Sequence, residues 1–282
     1  MTRTPFILRN PSVPVVLAGL AVLTLVVTLT SQAYGTGALP TSTVKILGMT
    51  LCLALAAVAM DLVWGYLGIL SLGQMAFFAL GGYMIGQWLM YARTEAIVAP
   101  QLAQSPIPPT PQEVRDAVTN QIFGVVGSSD LPLVWSFAHS LWLQLLLVVA
   151  VPGLLALVFG WLAFRSRVNG VYLSILTQAM TLALALWLFQ NDSGFRGNNG
   201  LSGLQNLPGL DHVDQATLSV WFLWASAAAL ALFYALAAWL VSGKFGSVTR
   251  AIRDDETRVR FLGYPVEGFK LVVFTLAAMI TA

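Results

Sequence analysis

Charge is the scarcest commodity in this chain. Of its 282 residues only 9% are Asp, Glu, Lys or Arg, where an average soluble domain carries about 25%. A water-soluble fold of this length has no way to cover its surface with so few. The 57% hydrophobic content and a mean hydropathy of +0.78 point the same way. Soluble enzyme, DNA binder and disordered chain are thereby set aside, and the chain reads as an all-α integral membrane protein. The pI near 8.8 signals no nucleic-acid partner, because the basic residues sit in short loops.

Other absences narrow the chemistry. The lone Cys52 excludes a disulfide framework or a thiolate metal site. With only His139 and His212, no HExxH-type zinc site can be written. The three lysines, Lys45, Lys244 and Lys270, are followed by Ile, Phe and Leu, and no Walker A loop ends so. The chain therefore has no P-loop of its own. Neither a catalytic residue nor a metal nor a cofactor is expected.

What is present is long apolar sequence. Residues 10–44, 46–60, 62–92, 131–164, 168–191, 215–243 and 271–282 are free of charge. A bilayer span needs about 20 mostly apolar residues. Trimming polar and Pro-rich ends predicts spans near 13–31, 44–64, 74–92, 141–164, 170–189 and 218–241, with an incomplete seventh over 269–282. The basic residues set orientation. With the amino terminus inside, Arg3, Arg9, Arg165, Arg167, Lys244, Arg250, Arg253, Arg258, Arg260 and Lys270 face the cytoplasm, and only Lys45, Arg93, Arg115 and Arg196 lie outside. Arg3 and Arg9, the first apolar run and Ser31-Gln32-Ala33 also fit a cleaved signal peptide, but the run is longer than the usual core of one, which favours a retained helix. Residues 93–140, with Pro106, Pro108, Pro109 and Pro111, read as an ordered external loop containing a short polar segment, Gln112–Gln121.

Five stretches could carry function. In Asp61-Leu-Val-Trp-Gly65-Tyr-Leu-Gly68-Ile-Leu-Ser71-Leu-Gly73-Gln74, polar and flexible residues interrupt apolar sequence. Such breaks are tolerated in lipid only where protein or a wet cavity supplies partners. The segment fits a tight turn between helices, and equally a path lining in which Ser71 and Gln74 offer hydrogen bonds. Gly82 and Gly86 form a GxxxG step suited to close helix packing, with Tyr83 between them as a candidate substrate contact. After the basic turn Arg165-Ser-Arg167, the polar residues Ser174, Thr177, Gln178 and Thr181 lie within a span, where such side chains pair or face a cavity. Asn191-Asp192-Ser-Gly-Phe-Arg-Gly-Asn198-Asn199-Gly-Leu201 is dense in turn formers and amides, and fits a solvated loop or an external vestibule where a partner docks.

The fifth stretch is the internal run from Phe245 to Pro265. From Ser247 to Leu262 its pattern predicts one short helix ended by Gly263 and Pro265, with Val248, Ala251, Ile252, Val259 and Leu262 on one face. A loop that only fixes topology needs positive charge alone. This one also holds Asp254, Asp255 and Glu256 among Arg250, Arg253 and Arg258, and both signs together suit a docking helix for a cytoplasmic partner.

Several of these motifs, in order, resemble the permease subunits of the ABC importers for hydrophobic amino acids and urea. The likeness runs over about residues 44–282 and rests on Gly65-Tyr-Leu-Gly-Ile-Leu-Ser-Leu-Gly73, Phe77-Phe-Ala-Leu-Gly-Gly-Tyr83, Arg165 to Tyr172, and Ala251-Ile-Arg-Asp-Asp-Glu256 with Gly263-Tyr264. Phe164-Arg-Ser-Arg-Val168 and the Asn191–Leu201 stretch are similar to the urea branch in particular. The resemblance implies a polytopic helical permease that pairs with a second permease subunit in the bacterial cytoplasmic membrane. Two cytoplasmic ATPases drive such a permease, and an external solute-binding protein feeds it. It implies that Arg250, Ala251, Ile252, Arg253, Asp254, Asp255, Glu256, Arg258 and Gly263 couple to an ATPase. Asp61, Ser71, Gly73, Gln74, Tyr83 and Gln178 would border the path. Asn191, Asp192, Asn198 and Asn199 stand, from their density of amides, as candidates for an external vestibule or for docking of the binding protein. Gln74 stands where relatives often carry His, which argues against a proton role there. Relatives continue through further helices beyond the position of Ala282, so the expectation is a fragment or a natural short form, with the fragment favoured.

Overall fold

The computed structural model describes residues 12–104, 109–126, 133–168, 170–190, 193–201, 204, 207–210 and 212–282. In lipid, backbone N–H and C=O groups must find partners within the protein, so apolar runs become helices. Helix α1 (Ser12–Thr30) and α2 (Thr41–Asp61) are joined by a turn in which Ser31 bridges to Leu39. After a stretch without α-helix come α3 (Gln74–Leu102) and α4 (Pro111–Val126). Helices α5 (Leu141–Arg165), α6 (Val171–Leu188) and α7 (Gln215–Ser242) follow. The chain then turns through two short helices, α8 (Lys244–Asp254) and α9 (Glu256–Phe261), into α10 (Val266–Thr281).

Five helical runs are long and apolar enough to cross a bilayer: Ser12–Thr30, Thr41–Tyr66, Leu141–Arg165, Val171–Leu188 and Gln215–Ser242. Their outward faces carry exposed Trp142, Leu146, Tyr172, Leu232 and Trp239, a surface suited to lipid tails. The protein is an all-α, polytopic membrane protein.

Two apolar cores organise the bundle. In one, α1 and α2 pack on α7 through Val27, Val44, Leu51, Val220 and Leu223. In the larger, α10 lies against α5, α3 and α2. Phe274 of α10 is its hub, edge-on to Phe77 at 5.7 Å and to Phe164 at 5.9 Å between ring centroids. Gly153 and Gly160 of α5 permit the approach, since a Cβ there would meet Met279 or Leu271 and Phe274.

Helix α4 folds back on α3 and buries Val118, Ile122 and Val126 against Met90, Tyr91 and Val98. Its spacing of apolar residues at every fourth position makes one stripe. The start is a capping box: the Thr110 N–H donates to the Glu113 carboxylate at 2.7 Å, and the Glu113 N–H donates to Thr110 Oγ1 at 3.3 Å. The Thr110 N–H foremost, and the Thr110 hydroxyl after it, hold the Glu113 carboxyl below its usual range.

Candidate functional site

Between α2 and α3 the α-helix is interrupted for the length of residues 62–73. Leu62–Tyr66 form a π turn, and Leu67–Gly73 run without helix before α3 begins. Gly68 takes φ of +75°, a left-handed geometry that glycine adopts without strain, and it lies against the side chain of Arg253. Irregular backbone at such a place must find donors and acceptors. Internally, the Gly68 N–H donates to the Trp64 carbonyl and the Ile69 N–H to that of Val63. The remaining bonds come from far along the chain. Arg253 of α8 donates to the Gly65 carbonyl at 2.6 Å. Ser174 of α6 donates to the Leu70 carbonyl at 2.7 Å, and the Leu72 N–H donates to Thr177 Oγ1 at 3.1 Å. Gly73 closes the segment against α6, where a Cβ would meet Thr177 and Met180.

The segment is thus held between the Arg-rich helices and α6. A cavity of about 390 Å3 opens beside it, lined by Gly68, Leu70, Ser174, Arg253, Glu256 and Lys270 among others. Ser71 and Gln74 are buried; Gln74 Nε2 donates to Thr281 Oγ1 at 2.8 Å, while its Oε1 and Ser71 Oγ have no partner among the described residues. Asp61 is exposed at the end of α2, its carboxylate beside Gly65, and lines a separate cavity of about 450 Å3 with Tyr66, Tyr234 and Arg250.

The single helix expected over Ser247–Leu262 is two helices. Asp255 breaks it: its backbone is extended at φ −156° and ψ 95°, and its side chain accepts the Arg258 N–H at 3.1 Å to cap α9. The break also rearranges the expected apolar face. Ile252 and Val259 are buried and Val248 is half-buried, but Ala251 and Leu262 point outward, with Leu262 75% exposed and Phe261 87%. Gly263 ends α9 in the left-handed region at φ +87°. Arg250 turns back to the carbonyls of Gly246 and Val241, at 3.1 and 3.4 Å. Arg253 also meets Asp254 at 3.3 Å, and Arg258 meets Asp255 at 2.9 Å.

A charge network ties α9 to α10. Glu256 receives Arg260 at 2.9 Å and Lys270 at 2.6 Å, and Arg260 reaches Glu267 at 2.7 Å. Lys270 is buried, and a buried ammonium is tolerated in apolar surroundings only when so paired. The surface left outward at this end is therefore mixed: Arg258 beside exposed Phe261, Leu262 and Tyr264.

The remaining candidates lie apart from this cluster. Tyr83 is half-buried, edge-on to Phe195 at 5.1 Å. The GxxxG reading is corrected: Gly82 faces open space, while Gly81 abuts the backbone of Ala282 and Gly86 abuts Leu201. Gly81 and Gly86 lie about 140° apart around α3, so the two close approaches are on different sides, one to Ala282 just after α10 and one to Leu201. Gln178 is exposed on α6, and Thr181 is half-buried, bonded to the Thr177 carbonyl at 2.9 Å. Asn198 and Asn199 are exposed at the far end of α6, on a turn pinned by buried Phe195 and by Trp135 Nε1 donating to the Gly194 carbonyl at 3.0 Å. Asn191 and Asp192 lie outside the described residues, as do Arg3, Arg9, Pro106, Pro108 and Asn169.

Sequence reading assigned no role to Gln87 and Gln144, which are fully buried on α3 and α5 without a partner among the described residues. The available signal was a glutamine inside an otherwise charge-free apolar run. Lys270 was read as topogenic only, and the fastening roles of Ser174 and Thr177 depend on a partner about a hundred residues away in sequence.

Residues 42–282 match the family model described as branched-chain amino acid transport system / permease component. No curated protein and no solved structure matches the chain. The chain belongs to this permease family, and it is a transport component rather than a catalytic enzyme.

Proposed function

We propose that this permease is the membrane subunit of an ATP-driven importer whose substrate is urea. An external solute-binding protein delivers the substrate, and the chain pairs with a second permease subunit. The amino terminus lies in the cytoplasm of a bacterial cell, and the chain sits in the cytoplasmic membrane. On this reading the Arg-rich end docks a cytoplasmic ATPase through Arg258, Phe261, Leu262 and Tyr264, and α8 passes the motion to segment 62–73. Exposed apolar side chains beside paired charges fit a protein partner better than water.

The observation that carries the substrate assignment is the neutrality of the interior. The buried polar side chains of the described helices are Ser, Thr and Gln, apart from Lys270 in its pair with Glu256. A carrier coupled to protons or sodium relies on buried carboxylates. A zwitterionic amino acid would have two charges to solvate along the same wall. Urea, with one carbonyl and two amino groups, needs only hydrogen bonds to replace its water. The exposed Asn198 and Asn199, similar to the urea branch, suit the vestibule on the external side. The second reading, import of branched-chain amino acids or short amides, agrees equally well with the family description. A passive urea channel has no use for a docking surface of both charge signs.

The test is uptake of labelled urea at micromolar concentration, in cells with and without this gene, before and after ATP depletion. Gene-dependent uptake that collapses with ATP is the expected result. Uptake that survives depletion identifies a channel, and gene-dependent uptake of leucine without urea identifies the amino-acid branch.

A further inference from the structure

Gln87 and Gln144 are the two fully buried glutamines of the described chain, at 0% exposure each, and none of their four carboxamide atoms has a hydrogen-bond partner among the described residues. The register of their helices brings them to one level. Helices α3 and α5 pack together. Near the Arg-rich end Phe77 of α3 meets Phe274, which also meets Phe159 and Phe164 of α5. Further along α3, Met84 shares a cluster with Leu147, Val148 and Val151 of α5. Numbers rise on α3 as they fall on α5, so the helices are antiparallel. One turn beyond Met84 stands Gln87, and one turn before Val148 stands Gln144. Each shares its helix face with the residues already in contact: Gln87 with Leu80 and Met84, Gln144 with Val148 and Val151.

Along α3 apolar side chains flank this level, Met84 one turn before Gln87 and Met90 and Tyr91 one turn after it. An amide buried without a partner is costly, and buried polar groups in folded proteins are nearly always bonded. Two leucines would pack here at no such cost. A carboxamide offers two N–H donors and a carbonyl acceptor. Two such amides at one level therefore complement a molecule with the same groups.

We propose that Gln87 and Gln144 form a binding station on the translocation path for a small neutral amide-type solute, urea foremost. The proposal rests on the urea-importer reading above and adds the residues that recognise the solute inside the membrane. Each carboxamide carbonyl accepts from a solute N–H, and each carboxamide N–H2 donates to the solute carbonyl.

The experiment uses the complete transporter, with its partner subunits and binding protein, in proteoliposomes supplied with ATP. Labelled urea, acetamide and leucine are the probes. Wild type is compared with the double variant Gln87→Leu, Gln144→Leu and with Gln144→Asn, which keeps the amide but shortens its reach. The expected result is a fall in urea uptake of about tenfold or more in the double variant, the scale of one or two lost hydrogen bonds. Assembly by size exclusion and ATP hydrolysis stay at wild-type level. In Gln144→Asn the ratio of urea to acetamide uptake shifts, which a purely structural contact between the helices would not produce. Wild-type urea uptake and a wild-type ratio in both assembled variants overturn the station while leaving the urea reading intact. If the double variant does not assemble, the ratio in Gln144→Asn alone decides. Wild type that carries leucine and neither urea nor acetamide overturns the urea reading itself, and the station's ligand with it.

Discussion

Helices α5 and α10 meet through glycines and aromatic rings, whereas segment 62–73, besides burying Leu62, Val63, Leu67 and Ile69 in the same core, is tied to its neighbours by side chains bonded to its backbone. The first contact is close-packed, and such a surface has one good arrangement. The second is a set of separate fasteners, each worth about 0.5–1.5 kcal/mol net and more where a charged donor is involved. Fasteners can be released and remade without dismantling the bundle. A permease needs both kinds of contact, a frame that stays and a wall that moves. On the proposed transport reading, α5 and α10 supply the frame, and segment 62–73 with α6 and α8 supplies the moving wall.

The strongest way to break that comparison is to disturb the frame. In Gly160→Leu the new side chain must enter the space of Leu271, Phe274 and Phe164, none of which can withdraw far. Overpacking of a tight core costs about 1–3 kcal/mol or more. The expected outcome is a several-fold lower yield of membrane-inserted protein and a lowered unfolding midpoint in detergent. Wild-type yield and midpoint would mean that α5 and α10 are not the fixed contact.

Next in size is Arg253→Glu. The substitution removes the 2.6 Å bond to the Gly65 carbonyl and sets a carboxylate beside Asp254. Hydrogen bonds from charged donors contribute about 1.5–3 kcal/mol. Uptake should fall to background while membrane insertion and yield remain normal, the reverse of the Gly160→Leu pattern. Unchanged uptake would sink the role of α8 in driving the segment.

These two positions also mark how far the sequence could be read. Apolar runs free of charge are visible without a structure because lipid enforces helix wherever they occur. Arg253 stood out among mixed charges for the same reason, its rarity. Its acceptor did not, because a backbone carbonyl 188 residues away leaves no trace in composition. The break at Asp255 was missed because apolar spacing runs through it; an aspartate that caps one helix looks like an aspartate on the face of another until φ is known. Gly82 was favoured for packing by its GxxxG spacing, yet it is Gly81 that lies against Ala282, the residue after α10, since the neighbour and not the spacing selects the close approach. The buried pair Gln87 and Gln144 needed the antiparallel register of α3 and α5, which only the fold supplies.

The finest probe of the comparison is Thr177→Val, which keeps the shape of the side chain and deletes its oxygen. Thr177 Oγ1 accepts the Leu72 N–H at 3.1 Å and donates to the Ser174 carbonyl at 2.9 Å, so it joins the segment to α6 at one atom. Valine fills the same buried space without creating a cavity, so frame and fold should be untouched. The Leu72 N–H, however, loses its acceptor in the arrangement described here. A lost bond of about 0.5–1.5 kcal/mol corresponds to transport slowed about two- to tenfold. ATP hydrolysis should continue at its wild-type rate, because the docking end is unaltered, so solute moved per ATP should drop by the same factor. That ratio, measured in proteoliposomes, separates a loosened wall from a damaged frame. A parallel fall in hydrolysis and uptake, or a lowered unfolding midpoint, would place Thr177 with the frame and erase the distinction between the two regions.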